Sequence, residues 1–320
     1  MLRARVDDAA EVDEVAAVVE RLAVLLSAGV PASTAWRYLS EASDAPVLDA
    51  AATAAEHGTS VALAVDAATS PSIAPGRRRV EHPGDRVRGW AVLAAAWSVA
   101  SESGAPLSAT LRELGSSLRD EAHLRREIRT SLSAPAASAR LVLALPLVAL
   151  AFGSVLGFDT AGVLLGNPIG VLCLLLGLAF LAIARRWSAS LARRAAAFDD
   201  DAGLELELLA IAMAGGASVE RARACVASAL AAHRIPPASG AAVAETISLA
   251  ERAGAPLVDL LRAEARRHRR IARTEAATRG AALGVRLMLP LGACVLPAFV
   301  LLGVAPLLIS VVTGTLGGAA

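Results

Sequence analysis

Between residues 11 and 29 the apolar positions Val15, Val18, Val19, Leu22, Leu25 and Leu26 recur at the period of one helix face, with Glu14, Glu20 and Arg21 off that stripe. The spacing predicts an amphipathic helix, stopped by Gly29. Pro31 then falls in the first turn of a second helix that carries Trp36, Tyr38 and Leu39, so a helix hairpin follows. Asp44 is placed to cap a third helix with Pro46 in its first turn. From Thr69 to Gly89 periodicity gives way to SPSIAPGRRRVEHPGDRVRG, read as a loop over 69–89 within the first module. Its arginines Arg77 to Arg79 suit either a solvated loop or an anionic partner. A helix from Trp90 to Ser103 is turned by Gly104-Ala105-Pro106-Leu107 into another through Leu111, Leu114 and Leu118.

Three stretches lack a polar stripe altogether. Residues 141–158 and 162–184 are free of ionisable side chains and approach or reach the ~20 residues needed to cross ~30 Å of hydrocarbon. Their link is too short for anything but a helical hairpin, which predicts a transmembrane unit over 139–184. The third run, 287–312, spans with tilt, and Pro290, Pro297 and Pro306 predict kinks. Arginines flank the same ends of all three: Arg125, Arg126, Arg129 and Arg140 before the first, Arg185, Arg186, Arg193 and Arg194 after the second, and a dense group before the third. The hairpin loop and the tail 313–320 have none. Retention of basic flanks predicts a cytoplasmic N-terminus, a cytoplasmic second module over 195–285 and an extracytoplasmic tail. The first residues, MLRARVDDAAEVDEV, lack an apolar core and predict no cleavable signal peptide, which leaves module 1, residues 1–138, in the cytoplasm.

The pattern repeats. SVASESGAPLSATLREL around Gly104 returns as LAERAGAPLVDLLRAE around Gly254, and LAVLLSAGVPASTA around Gly29 returns, slipped by one residue, as LLAIAMAGGASVERA around Gly215. Each copy runs through a charged helix into an apolar span that begins RLVLALP or RLMLP. The turn chemistry explains what recurs, since Gly allows a left-handed helix end and Pro106 or Pro256 pre-sets the next helix start. The fold class expected is therefore an all-α membrane protein with two cytoplasmic antiparallel helical bundle modules, an internal repeat, and three transmembrane helices.

Composition agrees and narrows the chemistry. The chain is 55% hydrophobic with a mean hydropathy of +0.55, only 3% aromatic, and contains no lysine, so its 31 basic side chains are all arginine. That removes Walker A and Schiff-base chemistry. A net charge of +1 gives no global pull on nucleic acid. The cysteines Cys173, Cys225 and Cys294 have no ligand spacing and read as structural thiols. Five scattered histidines, no G-x-S-x-G elbow and spans without ionisable residues point to no catalytic, cofactor or metal site.

The paired AG-centred hairpins, the SGAPL and AGAPL turns and the order module, hairpin, module, span resemble the type II secretion F family, the inner-membrane platforms of secretion systems and type IV pili. The Ala-rich first half and LGNPIGVLCLLLGLAFLAIARRW look like the tight-adherence, or Flp pilus, branch. The resemblance implies a scaffold in the bacterial inner membrane that couples a cytoplasmic secretion ATPase to extraction of pilin or pseudopilin subunits, as a homo-oligomer or beside a related platform protein. A Gly-Glu-x-Ser-Gly motif of that family is kept only partly: Glu251 holds the spacing to Gly254, whereas Glu102 is shifted by one relative to Gly104. Two modules in one chain are consistent with a fusion of two such proteins.

Local features carry paired readings. Arg266, Arg267, Arg269, Arg270 and Arg273 suit contact with anionic headgroups of membrane lipids or docking on an acidic partner face. Nucleic acid is disfavoured because no aromatic residues interleave. Gly153, Gly157, Gly162, Gly166 and Gly170, at four-residue spacing, suit close helix packing or are ordinary membrane-helix glycines. A different class of function, a small transporter or permease subunit using the Gly and Pro-rich spans, remains the alternative, and an intramembrane enzyme is a third.

Overall fold

In the computed structural model, the described residues are 4–69, 84–127, 130, 148, 162, 168–195, 202–237, 240–306 and 308. The first expected span, 141–158, lies outside them apart from Val148, as do Gly153, Gly157 and Gly166. All regular structure among the described residues is helical. In chain order the helices are α1 (Ala4–Ser27), α2 (Ala32–Glu41), α3 (Pro46–Glu56), α4 (Val61–Thr69), α5 (Gly84–Ser103), α6 (107–127), α7 (Pro168–Ala195), α8 (Leu204–Ala214), α9 (Val219–Ala232), α10 (Gly240–Ala253), α11 (Leu257–Arg286) and α12 (288–304). Ala45, not Asp44, occupies the cap of α3, and no side-chain bond closes it, because alanine has no oxygen to offer the amides of the first turn. Of the loop expected over 69–89, residues 70–83 lie outside the described residues and 84–89 form the start of α5.

The helices fall into two compact units. One joins residues 1–126 with 199–273. Its hydrophobic core is a single cluster that includes Val15, Leu22, Trp36, Leu93 and Leu111 together with Leu208, Val226, Leu230 and Leu261. The segments expected as two separate modules thus share one core. The reason lies in two helices with long buried runs. In α5, Trp90 to Trp97 are all buried, and in α8 Leu206 to Ala212 are all buried, so each needs apolar neighbours on every side. Accordingly α5 packs on α1 and α4 and equally on α8 and α9. Trp36 of α2 meets Trp97 of α5 with ring centroids 5.4 Å apart at 60°, a tilted pair of the kind that adds to area burial.

The second unit contains residues 127–198 and 274–320. Within it α7 packs along α12, with Phe180 and Ala184 against Cys294 and Val295, and Leu191 and Ala192 gather with Leu283 and Leu287. These pairings make the two antiparallel. Among the described residues two stretches are long and apolar enough to cross a membrane: Pro168–Ala192, at hydropathy 2.2, and part of Leu257–Val304, at 2.3. Only 17% of the first is buried, and Ile169, Leu172, Leu175, Leu178 and Ile183 face outward, the distribution of a lipid-facing helix. In α12 π-helical turns occupy Leu291–Val295 and Val300–Val304, each just ahead of a proline, Pro297 or Pro306, that cannot donate to the preceding turn.

Candidate functional site

The expected turn positions are built alike. Gly29 (φ 83°), Gly104 (φ 73°) and Gly254 (φ 61°) all hold the left-handed conformation that ends a helix. After Gly104 the Ala105 amide donates to Ala100 O at 2.9 Å and Thr110 to Pro106 O at 3.1 Å. After Gly254 the Ala255 amide donates to Ala250 O and Leu260 to Pro256 O, both at 3.2 Å. Pro106 and Pro256 therefore accept the first bonds of α6 and α11. The fourth expected position shifts: Gly216 carries the positive φ of 87°, while Gly215 is right-handed at −76°. Gly215 is needed for another reason. A Cβ there would overlap the Ser103 carbonyl oxygen and stand 2.9 Å from the Ala105 nitrogen, so this glycine lets the α8–α9 turn abut the α5–α6 turn.

Helix α6 carries charge to two neighbours. Towards α1, Arg119 pairs with Glu20 and, at 3.8 Å, with Asp13, while Arg126 reaches Asp13 at 3.2 Å. The Glu20 carboxylate raises the pKa of Arg119 above the guanidinium range. Towards α11, Glu113 meets Arg262 at 3.0 Å and Arg266 at 3.4 Å, and Asp120 meets Arg273 at 3.1 Å. As the numbers on α6 rise, those on α1 fall and those on α11 rise, so α6 is antiparallel to α1 and parallel to α11. Arg269 points inward to Glu207 of α8, which is 4% exposed. Burial pushes the Glu207 carboxyl above the usual range, and Arg269 opposes that shift.

The arginines singled out as a lipid or partner surface are thus largely engaged within the chain. Arg267 bonds Glu264 one turn away and remains mostly exposed, and Arg270 also has an interaction within the chain. The close helix contact among the described apolar residues is made by Gly177, which the four-residue glycine pattern passes over. A Cβ there would stand 2.5 Å from Leu302 Cγ. Gly170 is buried on the same helix. The only sequence signal for Gly177 was its place in a leucine run.

Glu102 and Glu251 are both exposed; Glu102 stands beside Cys225 of α9, and burial together with that carboxylate pushes the thiol up to about 11. Such a thiol is inert. Among the described residues no three of His, Cys, Asp or Glu converge as metal ligands.

Compared with known proteins, residues 18–155 match the family model of type II secretion system (T2SS) protein F. No curated protein matches the chain, and no solved structure does. The matched segment begins within α1 and takes in α2 to α6, and over it the chain is similar to type II secretion system protein F.

Proposed function

We propose that the chain is an inner-membrane platform of a type II secretion or type IV pilus assembly machine, of the tight-adherence (Flp) kind. It couples a cytoplasmic secretion ATPase to the extraction of pilin or pseudopilin subunits from the bilayer. The helices of the first unit face the cytoplasm, the spans 141–158, 162–184 and 287–312 anchor them, and the C-terminus is extracytoplasmic. Lipids and further copies, or a related platform protein, surround the spans.

The family match carries this reading, and the apolar helices α7 and α12 support an anchor in the membrane. We read residues from about 204 onward as a second copy of the matched domain. Glu20 and Glu207 each stand nine residues before a left-handed glycine, Gly29 or Gly216. Arg119 and Arg269 each stand fifteen residues after another, Gly104 or Gly254. Both carboxylates pair with the corresponding arginine. Two turns and one ion pair recurring in the same relation favour duplication over chance similarity in an Ala-rich chain.

The test is copurification. Detergent-solubilised full-length chain should retain the cognate secretion ATPase, and reporter fusions after residue 230 and at residue 315 should fall on opposite faces of the membrane. An ATPase that never associates in membranes, or residue 230 on the outer face, would remove the proposal.

A further inference from the structure

The α8–α9 hairpin leaves a groove of about 240 Å³ open on the first unit. Its apolar lining is Leu209, Val226, Leu230 and Ile235, all buried, and it is flanked by Glu205 and Arg223. The volume lies below the ~300 to 1,000 Å³ of small-molecule sites, so it has room for one or two side chains and not for a cofactor. Arg223 is exposed. Glu205 Oε2 is out of solvent and has no hydrogen-bond partner among the described residues. A buried carboxylate oxygen in that state is costly unless a donor arrives from outside.

The first hairpin shows how the same place is otherwise filled. Trp36 and Arg223 each stand seven residues after the left-handed glycines Gly29 and Gly216, and Ala35 and Ala222 just before them are both fully buried. Trp36 is also fully buried, in its tilted pair with Trp97. Val18 occupies the position that corresponds to Glu205. Thus the first hairpin has a buried indole at this position, whereas the second has an exposed guanidinium beside an apolar slot that the described residues leave open.

We propose that this groove docks a segment of a soluble protein partner that presents one large apolar side chain beside a basic residue. The apolar anchor enters between Leu209 and Leu230 and the basic group satisfies Glu205, with Arg223 taking an acidic neighbour. A buried anchor ringed by charge-assisted hydrogen bonds is the usual energetic centre of a protein interface. The groove lies on the unit that holds the charged helices and not on α7 or α12, which favours a water-soluble partner over one embedded in lipid. On the platform reading, on which this inference rests, that partner is the secretion ATPase.

Full-length chain in detergent, titrated with purified, fluorescently labelled cognate ATPase, tests it. Glu205→Lys and the plugging variant Arg223→Trp should each weaken binding about ten- to a hundredfold, and the isosteric Glu205→Gln by several-fold. Helicity by circular dichroism should be unchanged in all three. Binding within twofold of wild type in Glu205→Gln and Glu205→Lys, or in Arg223→Trp, overturns the groove assignment while leaving the platform reading intact. Failure of the wild-type chain itself to bind removes the platform reading and this site with it. If the variants alter only the size of the chain's own assemblies, the groove receives a second copy and the inference is wrong.

Discussion

Arg269 of α11 is the ion-pair partner of Glu207 of α8, a buried carboxylate that also feels the charges of Glu113 and Arg262. Its counterpart, Arg119 with Glu20, has side chains 39% and 38% exposed against 17% and 5% here. The same bond is therefore structural in one hairpin and a solvated surface pair in the other. Removing one partner of a buried pair strands a charge, at about 3–5 kcal/mol. Arg269→Met should lower thermal stability by that order, Arg119→Met far less, and Glu207→Leu/Arg269→Met should recover most of the loss. Because burial raises the folded pKa of Glu207, its contribution is fully present below the unfolded carboxyl range and is lost as pH rises through the raised value. Arg269→Met should accordingly lose stability as pH climbs from acid towards neutral, more steeply than wild type.

Adjacent glycines at the α8–α9 turn should fail in different ways. Gly216 needs its positive φ and has open space around its Cβ position, so Gly216→Asn, a residue that visits the left-handed region, should cost under about 1 kcal/mol. Gly215 needs space, not φ. Gly215→Ala should cost about 1–3 kcal/mol by overpacking against Ser103, and Gly215→Val more. Chemical denaturation of the four proteins orders them. A Gly216→Asn loss larger than that of Gly215→Val would refute the distinction.

Gly177 and Leu302 pack antiparallel helices by a small-to-large fit. Gly177→Ile should destabilise α7 against α12 by about 1–3 kcal/mol, and Leu302→Ala should restore part of it by making room. Thermal aggregation of the protein in detergent reads both. Equal midpoints for Gly177→Ile with and without Leu302→Ala would show that the two side chains do not meet.

His233, the residue that ends α9, is buried with Nδ1 3.8 Å from Asp66 of α4. Burial lowers its pKa below the ordinary imidazole range, and Asp66 only partly offsets this. A lowered folded value means that stability is full above the unfolded imidazole pKa and is withdrawn as pH falls through the folded value. The melting midpoint of wild type should drop on acidification from pH ~7.5 to ~5, at no more than ~1.4 kcal/mol per pH unit for one proton. His233→Gln should flatten that part of the profile. A profile identical to wild type would assign the acid sensitivity elsewhere.

Much of this was legible in the chain. Leucine and valine at helical spacing located α1, and glycines with a left-handed bias located the ends of α1, α5 and α10, because such signals are local: a backbone angle or a one-sided stripe is set by a few neighbouring residues. The uncharged runs marked α7 and α12 for the same reason, since hydropathy needs no partner. What sequence left undecided depends on residues far apart in the chain. The arginines of α11 looked free for lipid until Glu113 and Asp120 arrived from more than a hundred residues away. Gly215 read as a turn glycine and Gly177 as one residue of a leucine run until Ser103 and Leu302 faced them. The apolar runs of α5 and α8 are properties of their own residues, but only packing brought the two together and drew residues 1–126 and 199–273 around one core. Burial, charge pairing and close approach are properties of neighbours in space, and so the tertiary structure alone decided them.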